Sequence, residues 1–140
     1  MTFQPALAGT GIRFRRVDLD GKPEIEARVE HVIDTNRSTT LGKGNVKIHT
    51  VEHVLSALHG CGIDNVVIEM DASEPPILDG SAVELCELVE QAGIEEQDAS
   101  IATIAVREEV RLDEGDDRFL VVRPFDGLRV TYELVYPPPV

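Results

Sequence analysis

Several residue types on which particular functions depend are scarce in this chain. It has no tryptophan, two tyrosines and four phenylalanines among 140 residues, so it lacks the aromatic platform on which single-stranded nucleic acid stacks. Its 13 lysines and arginines are outnumbered by 26 aspartates and glutamates, which gives a formal net charge of −13. Such a surface repels phosphate backbones and anionic lipids. We therefore predict no nucleic-acid partner and no anionic membrane surface as a partner.

Long apolar runs and cysteines are also scarce. No run of about 18 apolar residues is present, as a membrane-spanning helix would need, and residues 1–5 lack the features of a secretory signal. We predict no transmembrane segment and a cytoplasmic location. The two cysteines, Cys61 and Cys86, both fall on apolar helical stripes. This predicts buried free thiols in a reducing compartment rather than a disulfide.

Hydrophobic periodicity predicts an α+β fold. One amphipathic helix follows residue 50 and ends near Gly60 and Gly62, and a second covers residues 81–92. Their apolar stripes are predicted to be Val51, Val54, Leu55 and Leu58 in the first helix and Ala82, Leu85, Leu88, Val89 and Ala92 in the second. Strand patterns occur at residues 12–19, 23–33, 46–48 and 63–70, a possible edge strand lies at 1–7, and two consecutive hairpins span 101–136.

This order of elements predicts a two-layer sandwich, in which two helices pack on one face of a largely antiparallel sheet. Residues 1–136 are predicted to form a single domain, and residues 137–140, with three prolines, to begin a truncated interdomain linker.

The stretch Thr50-Val51-Glu52-His53 is the main candidate for chemistry. Thr50 is predicted to cap the first helix, and Glu52 and His53 lie off its apolar stripe. One interpretation is an ordinary polar helix face. The other is a metal-ligating histidine beside a carboxylate general base, as in zinc hydrolases. The residues alone leave both open.

The other histidines add little to a metal site. His49 and His53 have the spacing of two ligands on one helical face, but His49 lies outside the helix if Thr50 is the cap. His59 is predicted to face solvent, and His31 is isolated on a strand. No second ligand group with a recognisable spacing is present, so either this is not a metal site or another segment completes it.

Two further clusters have competing interpretations. Arg13, Arg15 and Arg16 could meet a phosphate, but a solvated strand face that balances the acidic residues is at least as good an explanation. In Asp79-Gly80-Ser81, Ser81 and Glu84 match a capping box and Asp79 suits a helix N-terminus, which is a better explanation than a catalytic Asp79.

Three motifs in register, at residues 50–53, 62–65 and 75–82, together with residues 34–35, 38–41, 114–116 and 124–127, resemble the zinc-dependent UDP-3-O-acyl-N-acetylglucosamine deacetylase family of lipid A biosynthesis in Gram-negative bacteria. The resemblance covers nearly the whole chain. It implies two similar α+β domains with the active site between them, of which this chain is the N-terminal domain.

The resemblance also implies roles. It makes His53 a zinc ligand and Glu52 the general base, with zinc as cofactor and UDP-3-O-acyl-N-acetylglucosamine as substrate. The remaining zinc ligands are expected in a C-terminal domain outside this chain, so the chain alone is expected to be inactive. The alternative is a non-catalytic binding domain that keeps the scaffold.

Overall fold

The computed structural model describes residues 1–115 and 118–135. The chain divides into two compact units, Met1–Ser100 and Ile101–Val140. The single domain predicted for residues 1–136 stays a prediction. The linker predicted at residues 137–140 lies outside the described residues.

The first unit alternates short strands with two α-helices. In chain order its elements are β1 (Thr2–Pro5), β2 (Ile12–Arg16), β3 (Glu24–Glu26), a 3-10 helix (Val29–His31), β4 (Val32–Asp34), β5 (Thr40–Lys43), β6 (Val46–Ile48), α1 (Glu52–Gly60), β7 (Val66–Met70) and α2 (Val83–Ala92).

A four-stranded sheet has the order β1-β7-β2-β3. Its pairings are antiparallel except for β2 with β7, which run parallel. In the central strands Phe14 lies opposite both Ile25 and Ile68, and all three side chains are fully buried. The strand predicted near the N-terminus is therefore an edge strand, β1, which among the described residues pairs only with β7.

A second, antiparallel sheet has the order β4-β5-β6. Its β5–β6 hairpin turns at Gly44, whose φ of 60° is the left-handed conformation that glycine adopts without strain. Leu41 and Ile48 lie opposite each other in this hairpin and are buried.

The two helices contribute unequally to the core. Helix α1 buries Val54, Ala57 and Leu58, and Val51 just before it is fully buried, whereas Leu55 of the predicted stripe is only partly buried. Helix α2 buries Leu85 and Val89, but Leu88 and Ala92 are exposed, contrary to prediction. One cluster joins the buried residues of both helices to those of both sheets. This confirms the α+β fold class.

The outer face of the four-stranded sheet carries a ladder of ion pairs. Arg13 pairs with Glu26, and Arg15 donates to Glu24 at 2.7 Å and to Glu69 at 3.1 Å. These hydrogen bonds to two carboxylates raise the pKa of Arg15. Because the two arginines are already engaged by glutamates, the structure favours charge balance over a phosphate site at this face.

Asn65 ties three segments of the first unit together. Its Oδ1 accepts a hydrogen bond from the Gly11 amide at 2.9 Å, and its Nδ2 donates to Gln97 at 2.9 Å. Gln97 in turn donates to the Ala6 carbonyl at 2.9 Å. Asn65 therefore holds the loop before β7 in register with the start of β2.

The second unit contains one hairpin among its described residues, β8 (Val110–Gly115) and β9 (Arg118–Val122), with Leu112 opposite Leu120. The second predicted hairpin is wrong, since residues 123–135 contain no strand. Within the described ranges, no strand lies beside this alternating pattern to complete a hydrogen-bonded ladder, and an apolar pattern alone does not make a strand. No helix in the described part of the chain is long and apolar enough to cross a membrane.

Candidate active site

The turn from β6 into α1 has an unusual backbone. Thr50 has a φ of 53°, a left-handed conformation that β-branched residues rarely adopt and that costs about 1–3 kcal/mol. Neighbouring segments hold this turn in place. The Thr50 hydroxyl donates to Glu74 Oε1 at 2.5 Å, and the His49 amide donates to the Ser73 carbonyl at 2.8 Å.

The structure corrects the prediction that Thr50 caps α1. The N-cap position is Val51, and no side chain in the part of the chain that the structure describes caps the helix. The Val51 amide instead donates to the Thr39 carbonyl at 3.3 Å. The Val51 side chain is fully buried at the start of the helix. The Thr50 hydroxyl, one residue earlier, does not cap the helix because it donates its hydrogen bond to Glu74.

Glu52 is the first residue of α1 and is half-buried. Its Oε2 accepts a hydrogen bond from the Thr39 amide at 2.9 Å. The Val51 amide donates to the Thr39 carbonyl as well, so two hydrogen bonds join Thr39, just before β5, to the start of α1. One carboxylate oxygen is therefore fixed by backbone, and the carboxylate as a whole has a defined position.

His53 follows Glu52 in the same helical turn and is half-buried. An imidazole nitrogen at such a position is a chemically suitable zinc ligand. However, the described residues contain no group of three or more His, Cys, Asp or Glu side chains that could hold a metal ion. These residues therefore fit one ligand position and do not form a complete zinc site by themselves.

The other histidines have separate roles in the fold. His49 lies before the helix, as expected for a residue outside it, and its Nδ1 is 3.1 Å from the hydroxyl of buried Thr40. His59 is exposed in the last turn of α1. His31 Nδ1 is 2.9 Å from the Glu26 carbonyl oxygen. The structure does not bring these three together with His53 as a metal group.

The Asp79–Ser81 segment forms a tight local turn. Asp79 Oδ1 accepts hydrogen bonds from the amide and the hydroxyl of Ser81, both at 2.8 Å, and these bonds lower the pKa of Asp79. Gly80 has a φ of 84°, as the turn requires. The predicted capping box is wrong, because the N-cap of α2 is Ala82 and not Ser81. The Ser81 amide, to which Glu84 would bond in a capping box, donates to Asp79 instead. A local structural role for Asp79 explains the motif.

The two cysteines are free, and both are half-buried rather than buried as predicted. Cys61 is the C-cap residue of α1. Its amide donates to the Ala57 carbonyl at 2.9 Å, and the Cys86 thiol approaches the same oxygen at 3.9 Å. The contact with Cys86 is the main cause that raises the pKa of Cys61. A raised pKa makes Cys61 a poor nucleophile, so neither motif nor environment indicates cysteine catalysis.

Sequence reasoning did not identify the residues that hold the candidate site. Thr39 acts through its backbone amide, which any residue but proline carries, and only its place within a family-like motif could have drawn attention to it. Glu74 had no sequence signal, since it is one of 26 acidic residues. Thr39 reaches Glu52, and Glu74 reaches Thr50, only because the fold brings together residues that are 13 and 24 positions apart.

Comparison with known proteins supports the resemblance found in the motifs. The model of the family described as UDP-3-O-acyl N-acetylglycosamine deacetylase (LpxC) matches residues 1–140. A relative from Pseudomonas entomophila (strain L48), described as UDP-3-O-acyl-N-acetylglucosamine deacetylase, is 49% identical over all 140 residues of this chain. The chain spans 46% of that relative's length, which is consistent with a match to its N-terminal domain. The chain therefore belongs to the UDP-3-O-acyl N-acetylglycosamine deacetylase family.

Proposed function

We propose that this chain provides the first part of a zinc-dependent deacetylase that hydrolyses the acetamide of UDP-3-O-acyl-N-acetylglucosamine, a step of lipid A biosynthesis in the cytoplasm of Gram-negative bacteria. Family membership and the deacetylase relative support the reaction and the substrate. The observation on which the proposal rests is the adjacent Glu52 and His53 in one helical turn, with the Glu52 carboxylate held by the Thr39 amide.

Glu52 is assigned as the general base. A general base must have a defined position within hydrogen-bond reach of the proton that it removes. The Thr39 amide occupies Oε2, so Oε1 is the atom that receives the proton from the attacking water. The backbone bond keeps the carboxylate from swinging away between turnovers and leaves it half-exposed, as access to a substrate requires.

His53 is assigned as a zinc ligand. The chemistry that zinc supplies when bound is Lewis-acid activation of the amide carbonyl and of a water molecule. A catalytic zinc site uses about three protein ligands, and the described residues provide no such group. We therefore propose that the other ligands lie outside this chain, in a C-terminal domain that acts as its partner, and that the chain alone is inactive.

A zinc titration of the purified chain tests the ligand assignment. Calorimetry should detect only weak zinc binding, with a binding free energy far below that of a complete structural zinc site, which is about 10–16 kcal/mol. His53→Gln should abolish this weak binding. His59→Gln is the matched control, because His59 is exposed on the same helix, and it should change nothing. Tight stoichiometric zinc in the chain alone would contradict an incomplete site.

An activity assay tests the base. The chain, joined to the C-terminal part of the Pseudomonas entomophila relative, should release acetate from UDP-3-O-acyl-N-acetylglucosamine. Glu52→Gln should lower the rate by about 10²–10⁴-fold at unchanged zinc content, and His59→Gln should leave it unaltered. Deacetylation by the isolated chain, or full activity of Glu52→Gln, would overturn the proposal. Substrate binding without turnover in the joined protein would favour the non-catalytic alternative.

A further inference from the structure

The segment between β6 and α1 is clamped from two sides. On one side, the His49 amide donates to the Ser73 carbonyl and the Thr50 hydroxyl donates to Glu74. On the other, the Val51 amide donates to the Thr39 carbonyl. Three consecutive residues are thus bonded to segments far away in sequence, although the segment itself belongs to no helix or strand.

This clamp takes the place of a helix cap. Helix α1 has no side-chain N-cap bond from any described residue, so its first turn is not fixed locally in the way most helix starts are. The direction in which α1 leaves β6 depends on the dihedral angles of Thr50, whose φ of 53° points the chain along a path that extended or helical residues cannot follow. The Glu74 carboxylate is the side-chain partner that holds this conformation.

We propose that Thr50 and Glu74 are a positioning pair, whose hydrogen bond fixes the first turn of α1 and thereby places the Glu52 carboxylate and the His53 imidazole. The inference rests on the proposed function for its catalytic meaning. Neither residue is assigned contact with substrate or metal. Thr50 acts through the backbone that leads to Glu52, two residues later.

The Thr39 amide is a direct reporter of this placement. It donates to Glu52 Oε2, so its hydrogen exchange slows only while the carboxylate is in position. A purely structural role of Thr50 would change exchange throughout the first unit. A positioning role changes it at Thr39 and leaves amides in the central strand β7, such as Ile68, unaffected.

Hydrogen exchange of the 140-residue chain, followed by NMR, tests the pair. Thr50→Val keeps the shape and removes the hydroxyl, and we expect exchange at Thr39 to become about threefold to tenfold faster, the effect of losing one modest hydrogen bond. Thr50→Ser should restore the slow rate. Glu52→Ala calibrates complete loss of protection, and Thr35→Val, at an exposed loop threonine, is the matched control.

Glu74→Ala is the second variant, because Glu74 is exposed and its replacement does not threaten folding. It should reproduce the effect of Thr50→Val. Unchanged exchange at Thr39 in Glu74→Ala, or equal acceleration at Thr39 and Ile68 in both variants, would overturn the proposal.

The deacetylase assay separates this inference from the proposed function. In the joined protein, Thr50→Val should lower kcat by about threefold to tenfold with KM and zinc content unchanged, and Thr50→Ser should restore it. An unchanged kcat in an active protein would refute the positioning role in catalysis. If the joined protein has no activity at all, the proposed function fails, while the exchange rates still decide whether Thr50 and Glu74 place Glu52.

Discussion

Truncating one leucine in each helix gives a direct test of the core. Leu58 in α1 is 1% exposed and Leu88 in α2 is 52% exposed, although both lie on predicted apolar stripes. A buried leucine gains about 1.5–3 kcal/mol from leaving water, and a cavity adds to the loss when it is cut back, so Leu58→Ala should cost about 3 kcal/mol. Leu88→Ala should cost below about 1 kcal/mol, because half of the side chain is in water already and alanine favours helix.

Urea denaturation followed by far-ultraviolet circular dichroism measures the difference, since the chain has no tryptophan as a fluorescent probe. With a slope of about 1–3 kcal/mol per molar urea, Leu58→Ala should lower the midpoint by about 1–3 M. The slope itself should stay constant in both variants. Equal losses for Leu58 and Leu88, or a loss below about 1 kcal/mol for Leu58, would refute the packing described for the two helices.

Three further substitutions test particular contacts. Asn65→Ala removes the acceptor of the Gly11 amide, and the free energy of unfolding should fall by about 1–2 kcal/mol in urea; an unchanged midpoint would contradict this bond. The hydrogen bond from Arg16 lowers the pKa of Asp18, so the carboxylate stabilises the fold above its unfolded pKa and ceases to do so as pH falls through the folded one. Melting temperatures of the wild type and Asp18→Asn should therefore differ at neutral pH and converge in acid, and a constant difference would contradict the pairing. Cys86→Ala removes the main cause of the raised pKa of Cys61, so iodoacetamide should alkylate Cys61 faster at mildly alkaline pH; an equal rate would argue against the thiol contact.

The family could be recognised from sequence because its motifs are linear. Residues 50–53, 62–65 and 75–82 occur in order and at fixed separation, and the match to the family model over residues 1–140 confirmed the inference. Some motif residues have local structural roles that suit their residue type. Gly62 after α1 and Gly80 in the turn before α2 both have a positive φ, which glycine adopts without strain. The roles of Glu52 and His53 stay proposals.

Secondary structure was predictable where a pattern was both local and packed. Val51, Val54 and Leu58 of the predicted α1 stripe are buried, because they pack into a core to which both sheets contribute. The prediction that Leu88 packs in the core is wrong. Periodicity shows which residues share a face of α2, but it does not show how much of that face is covered by the rest of the protein. The strand predicted after residue 127 was wrong for a related reason, since a strand exists only when another strand pairs with it.

The family, the α+β class, the apolar face of α1, and the carboxylate beside an imidazole at the start of that helix could all be inferred from the amino-acid sequence. How the start of the helix is held could be learned only from the fold. Thr39 lies 13 residues from Glu52, and Glu74 lies 24 residues from Thr50. A backbone amide and one glutamate among many become specific partners only when the fold brings them within about 3 Å, the range over which a hydrogen bond forms.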